Sequence, residues 1–180
     1  MSTNRFRAIA AALAFAAIVP VAVRAELPSK PVLTLEAARR VGAAAYAEAA
    51  RRGATVVIAV VDDGGHVVFL ERLNDTQVAS VDVGIGKART AAIFRRPSKV
   101  FEDQIREGRV AALALPGATP LQGGVPLEVD GRVIGAIGVS GNTPQEDEDI
   151  AKAGAPALPA KSRSRAAALA TSGPRRPARR

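Results

Sequence analysis

Few residues in this chain can do chemistry. There is one histidine, His66, and there is no cysteine. A single imidazole can ligate iron or move a proton near neutral pH, but it cannot build a His–His metal cluster. The lack of cysteine excludes thiolate metal sites, covalent haem attachment and cysteine nucleophiles. No nucleophile elbow supports a Ser-His-Asp/Glu triad. Haem needs only one proximal ligand, so a lone histidine is compatible with that cofactor.

His66 ends the run Asp62-Asp63-Gly64-Gly65, which reads as a turn, and a polar residue at a strand entrance accounts for it equally well. Gly86-Lys87-Ala88-Arg89-Thr90 falls inside a helical stretch whose charges are expected to face water. The glycine and lysine do not make a phosphate loop, because Ala88 follows Lys87 and no strand leads directly into the segment. Gly123-Gly124-Val125-Pro126 and the run from Gly135 through Gly138 and Ser140 to Gly141 put several glycines into strands. A close backbone neighbour and a ligand wall both explain such glycines. Asp147, Glu148 and Asp149 form an acidic group near a helix start, where capping and the helix dipole account for them without a metal.

The elements that position these residues follow from pattern. Thr34 caps a helix that runs to Arg52 and stops at Gly53, with Glu36–Arg40 and Glu48–Arg52 on its wet side and Leu35, Ala38, Val41, Gly42, Ala45 and Ala49 opposite. Residues 55–61 are β-rich without polar alternation, so they form a strand covered on both faces. Residues 66–72 return as its hairpin partner. A helix over 80–94 starts with Ser80 as cap, and a shorter helix follows Pro97 and ends at Gly108. Residues 109–124 read as loop, 125–129 and 132–140 as a hairpin about Asp130-Gly131, and Thr143-Pro144-Gln145-Glu146 as a capping box. The order α-β-β-α-α-β-β-α predicts an α+β sandwich, an antiparallel sheet of two hairpins with helices packed on it.

The ends differ in character from the middle. Residues 1–25 carry Arg5 and Arg7, an uncharged run from Ala8 to Val19, and Val23-Arg24-Ala25 as a small-x-small cleavage site, the pattern of a secretory signal peptide. The apolar run is shorter than the roughly 20 residues a membrane span requires. Residues 161–180 form a basic, low-complexity tail expected to be disordered. Of the net charge of +8, the signal carries +3 and the tail +7, which leaves −2 for residues 26–160. The folded part therefore lacks the basic face of a nucleic-acid-binding domain. A periplasmic or secreted protein is expected.

Four segments, AVVDDGGHVVFLER, GKARTAAIFRRPS, PLQGGVPLEVDGRVIGAIGVSG and QEDEDIAKAGA, resemble in order and spacing the GlcG/HbpS haem-binding family, over about residues 33–158. The resemblance implies a profilin-like fold, homo-oligomers that are often octamers, and haem as cofactor. It implies roles in haem or iron sensing through a membrane partner, or in resisting oxidative stress. Similar domains end corrinoid adenosyltransferases, which makes a corrinoid a second cofactor class. Others are encoded beside organic-acid catabolism genes, so an enzyme or accessory protein for a small acid is the competing function. By motif, His66 and Thr90 are the implied iron or porphyrin contacts and Lys87 and Arg89 the implied propionate partners. Gly123, Gly124, Gly138 and Ser140 would wall the site. The chain departs from the family in having Arg72-Leu73-Asn74-Asp75 where Arg-Met-Asp-Gly is common, and with Met1 its only methionine, a His/Met haem is excluded.

Overall fold

The computed structural model describes residue 27 and residues 29–158, so the expected signal peptide, residues 1–25, and the expected disordered tail, residues 161–180, lie outside the described residues. The first helix, α1 (Leu35–Arg52), is capped as its sequence requires: Thr34 Oγ1 accepts from Ala37 N–H at 3.2 Å, and Gly53 takes the left-handed conformation (φ 65°) that ends it. Its small buried face is Ala37, Ala38, Val41, Gly42, Ala45 and Ala49. Leu35, expected on that face, is 48% exposed. It is the first helical residue, and the buried face begins at Ala37. Gly42 is where the Phe69 ring crosses α1, leaving no room for a Cβ.

Strands β1 (Val57–Asp62), β2 (Val67–Arg72), β3 (Gly124–Val129) and β4 (Arg132–Ser140) form one antiparallel sheet in the order β2-β1-β4-β3. The two hairpins join through β1 and β4, so the architecture is the expected α+β fold. Val57–Val61 are fully buried, as an unbroken apolar run demands.

Helix α1 and the last helix, α4 (Pro144–Gly154), cover one face over a core of Val41, Val56, Ile58, Val60, Ile137, Val139 and Ile150. Helix α2 (Ser80–Ile93) covers the other, where Ala88, Ala91 and Ala92 meet Ala59, Val61 and Ala136. Alanine on both sides brings helix and sheet close, and Gly138 completes the fit. A Cβ there would strike the Gly84 carbonyl and lie 2.5 Å from Ala88 N.

Ser80 is not the cap of α2. The preceding residue, Ala79, is already helical, and Ser80 N–H is taken by Gln77 O at 3.2 Å, so a turn over 77–80 leads into the helix. Among the described residues the buried Ser80 hydroxyl has no hydrogen-bond partner. Helix α3 (Lys99–Arg106) follows, and the expected loop over 109–124 contains a short 3₁₀ turn, Val110–Ala114. The capping box of α4 forms as read, with Thr143 and Glu146 bonded reciprocally. No helix among the described residues is long and apolar enough to cross a membrane.

Candidate functional site

The β1–β2 turn is built by Asp62. Its Oδ1 accepts the backbone N–H groups of Gly64 and His66, each at 2.9 Å, and Gly65 N–H bonds Asp62 O at 3.0 Å. Burial raises the Asp62 carboxyl, but these two N–H donors outweigh it and hold the carboxyl below its ordinary range. The turn is thus fixed by an ionised carboxylate, and His66 leaves it with its side chain 79% exposed. Asp62 was not singled out from sequence, although Asp ahead of Gly-Gly signals such a side-chain-closed turn.

The turn rests on α2. Gly65 (φ 83°) lies against Arg89 and Ile93, and Arg89 Nε donates to Gly65 O at 3.2 Å. Ile85, Arg89 and Ile93 succeed one another at one-turn spacing. Val67 and Leu70 pair with Val61 and Ala59, whose side chains face α2, so these two β2 residues lie on the same side of the sheet. Val67, Leu70 and Ile93 are all exposed. The result is an apolar shelf along β2 and the flank of α2, ended by the turn that bears His66, to which Arg89 is bonded at Gly65 O; the His66 imidazole itself lies 3.4 Å from Asp62 Oδ1. One nitrogen ligand, one carboxylate-binding cation and an uncovered apolar surface can hold a flat, metal-bearing, carboxylated ring.

The other expected site residues lie elsewhere. Thr90, one residue past Arg89, is fully buried: Oγ1 donates to Gly86 O at 2.8 Å and accepts Thr119 N–H at 2.6 Å, tying α2 to the 109–123 segment. Lys87 does not face water as expected of it. It is buried, with Nζ 2.7 Å from Asp147 Oδ2 and 3.0 Å from Val139 O. Gly123 (φ 126°) makes way for it, since a Cβ there would lie 3.0 Å from Nζ and 2.8 Å from Val139 O. Gly124 admits the Lys87 backbone, and Ser98 Oγ accepts Gly124 N–H at 2.8 Å. Ser140 is buried at the end of β4. Gly123, Gly124 and Gly138 are therefore occupied, within one chain, by the close approach of α2. Lys87 is not brought together with His66 and Arg89, as a small-acid pocket would need.

The acidic group at the start of α4 has work beyond capping. Asp147 and Glu148 are buried. Glu148 accepts from Gln122 Nε2 at 2.5 Å and pairs with Lys152 at 3.1 Å, while Asp147 Oδ1 accepts Asn142 N–H at 3.0 Å. Sequence alone does not separate a wet capping carboxylate from one turned inward. Among the described residues no three His, Cys, Asp or Glu side chains gather to hold a bare metal ion.

Comparison with known proteins places this geometry. Residues 33–156 match the family model described as "Haem degrading protein HbpS-like". The chain is 42% identical over 114 residues to Protein GlcG of Escherichia coli K12, across 63% of this chain and 85% of that protein. Its fold superposes on a crystal structure of a double mutant of Streptomyces reticuli HbpS with a TM-score of 0.69 at 34% identity, covering 80% of this chain and 99% of the other. The crystal structure of a PduOC:heme complex gives a TM-score of 0.65 at 25% identity, covering 71% and 96%.

Proposed function

The chain belongs to the HbpS-like family, and from that premise we propose that it is an exported haem-binding protein whose porphyrin lies on the shelf between α2 and β2. The observation that carries the proposal is that the turn bearing the chain's single, exposed imidazole is bonded through Gly65 O to Arg89, at the end of an exposed apolar surface. The residues present fit haem. His66 would supply the iron ligand, on a turn that Asp62 fixes in advance of binding. Arg89 would pair with a propionate, and Val67, Leu70, Ile85 and Ile93 would take the apolar ring. The Thr90 hydroxyl, in this proposal, holds the 109–123 segment rather than iron, and Lys87 serves Asp147. The bound group would bring redox-active iron; the chain contributes its binding and orientation. Export is supported by the Arg5/Arg7 leader and its small-residue cleavage site.

Hemin titration of the purified protein, followed at the Soret band, tests the site. The wild type is expected to saturate with a shifted band, and His66→Ala to lose that shift and weaken binding about tenfold or more, as loss of a metal-ligand bond requires. An unchanged spectrum and affinity in His66→Ala would remove haem from this shelf.

A further inference from the structure

The β1–β2 turn holds the imidazole of His66 as well as its backbone. Nδ1 of the ring lies 3.4 Å from Asp62 Oδ1. The same oxygen accepts the backbone N–H groups of Gly64 and His66, each at 2.9 Å. Those two bonds fix the carboxylate, so the ring meets a partner already in place. Among the described residues Nε2 has no hydrogen-bond or ion-pair partner. The two ring nitrogens are therefore unequal: one leans on a carboxylate and the other is open.

Gly64 makes that contact possible. A Cβ at this position would lie 2.9 Å from His66 Nδ1, closer than real Cβ atoms approach, and 3.1 Å from Cε1. The backbone gives no reason for a glycine here, since Gly65 has a positive φ of 83° and Gly64 has none. The first glycine of the pair thus serves the ring, and the second serves the turn. Asp62, Gly64 and His66 supply an acceptor, a gap and an imidazole at alternate positions of one short segment.

We infer that Asp62 is a positioning residue for the haem ligand: it takes the Nδ1–H of His66 across the gap left by Gly64 and so presents an unprotonated Nε2 to iron. The inference rests on the reading of the shelf as a haem site and assigns roles to two residues that this reading left out. A neutral imidazole carries one proton, and the bond made by one nitrogen decides which nitrogen is free for a metal. A carboxylate behind a ligating histidine also fixes the plane of the ring and raises its basicity. An exposed ring without such a partner would have to be ordered on binding, at a cost in affinity.

The test begins on the whole, untagged chain without haem. Its single histidine gives one pair of ring-nitrogen signals in a long-range proton–nitrogen correlation spectrum. With the ring neutral, the wild type is expected to carry its proton mainly on Nδ1, whereas an unpartnered imidazole favours Nε2. Asp62→Asn keeps an Oδ1 acceptor for the two backbone N–H groups and removes the charge, while Gly64→Ala keeps the carboxylate and displaces the ring. Both variants are expected to move the proton toward Nε2 at a melting temperature near that of the wild type. With hemin, both are expected to bind about tenfold more weakly and to shift the iron reduction potential upward. A wild-type ring protonated mainly on Nε2, or wild-type hemin affinity and potential in Gly64→Ala, would overturn the inference. Failure of the haem reading has a different mark, a wild type with the proton on Nδ1 and no Soret shift.

Discussion

Lys87 of α2 and Asp147 of α4, sixty residues apart in sequence and on helices that cover opposite faces of the sheet, meet at 2.7 Å across the gap left by Gly123. Both side chains are almost wholly buried. Removing one partner leaves a buried, uncompensated charge or a stranded polar group, whereas removing both leaves neither. Lys87→Met is therefore expected to cost about 3–5 kcal/mol, and the double variant Lys87→Met/Asp147→Leu to recover most of it. Urea denaturation measures both, and a double variant no more stable than Lys87→Met would show that the pair is not coupled.

Among the carboxylates that make stability depend on pH, Glu48 and Asp147 act in opposite senses. Hydrogen bonds from Arg51 and Arg52 hold Glu48 down from 4.5 to about 2. Its contribution is therefore complete above 4.5 and is lost as pH falls toward 2. Burial pushes the Asp147 carboxyl above its usual 3.8, even against the pull of Lys87. The folded state then holds that proton more tightly than the unfolded one, so Asp147's contribution is complete below 3.8 and declines as pH rises through the raised value. Denaturation midpoints across pH 2–7 should show a shallower acid loss in Glu48→Gln than in the wild type. A Glu48→Gln profile parallel to the wild type would contradict the assignment.

The strand glycines are expected to divide by what lies above them. Gly138→Ala puts a Cβ against the α2 backbone, which cannot move alone, and should cost about 3 kcal/mol or more. Gly131 sits in the tight Asp130-Gly131 turn at φ 71°, where an added Cβ would meet nothing within 4 Å, so Gly131→Ala should cost only the left-handed conformation, about 1–2 kcal/mol. Thermal unfolding of the two variants decides the order.

Much of this architecture is written locally. The Thr34 cap, the Gly53 stop, the Asp130-Gly131 turn and the Thr143–Glu146 box each depend on residues within a few positions, and each forms as its chemistry requires. What sequence did not disclose depends on residues far along the chain. Nothing beside Lys87 indicates that it turns inward, because its partner, its acceptor carbonyl and the glycine that admits it lie at 147, 139 and 123. Ser80 looks like a cap by type, but the turn over 77–80 has already started the helix. His66 and Arg89 are both visible as chemistry-bearing residues, but the bond that ties Arg89 to the His66 turn depends on Gly65 packing on α2.

Thr90 and His66 should separate under mutation because one hydroxyl is inside and one imidazole is outside. Thr90→Val removes an acceptor from the part-buried Thr119 N–H and a donor from Gly86 O, which costs about 1–3 kcal/mol. His66→Ala removes an exposed side chain whose one ring contact, Nδ1 3.4 Å from Asp62 Oδ1, is at the surface, while the backbone N–H that holds the turn stays, so stability should stay within about 0.5 kcal/mol. If the shelf binds haem as proposed, the effects on hemin reverse: Thr90→Val keeps the wild-type Soret shift once folded, and His66→Ala loses it. A Thr90→Val variant that unfolds at wild-type urea concentration yet loses the Soret shift would place the iron ligand inside the α2–loop seam and release His66 from that role.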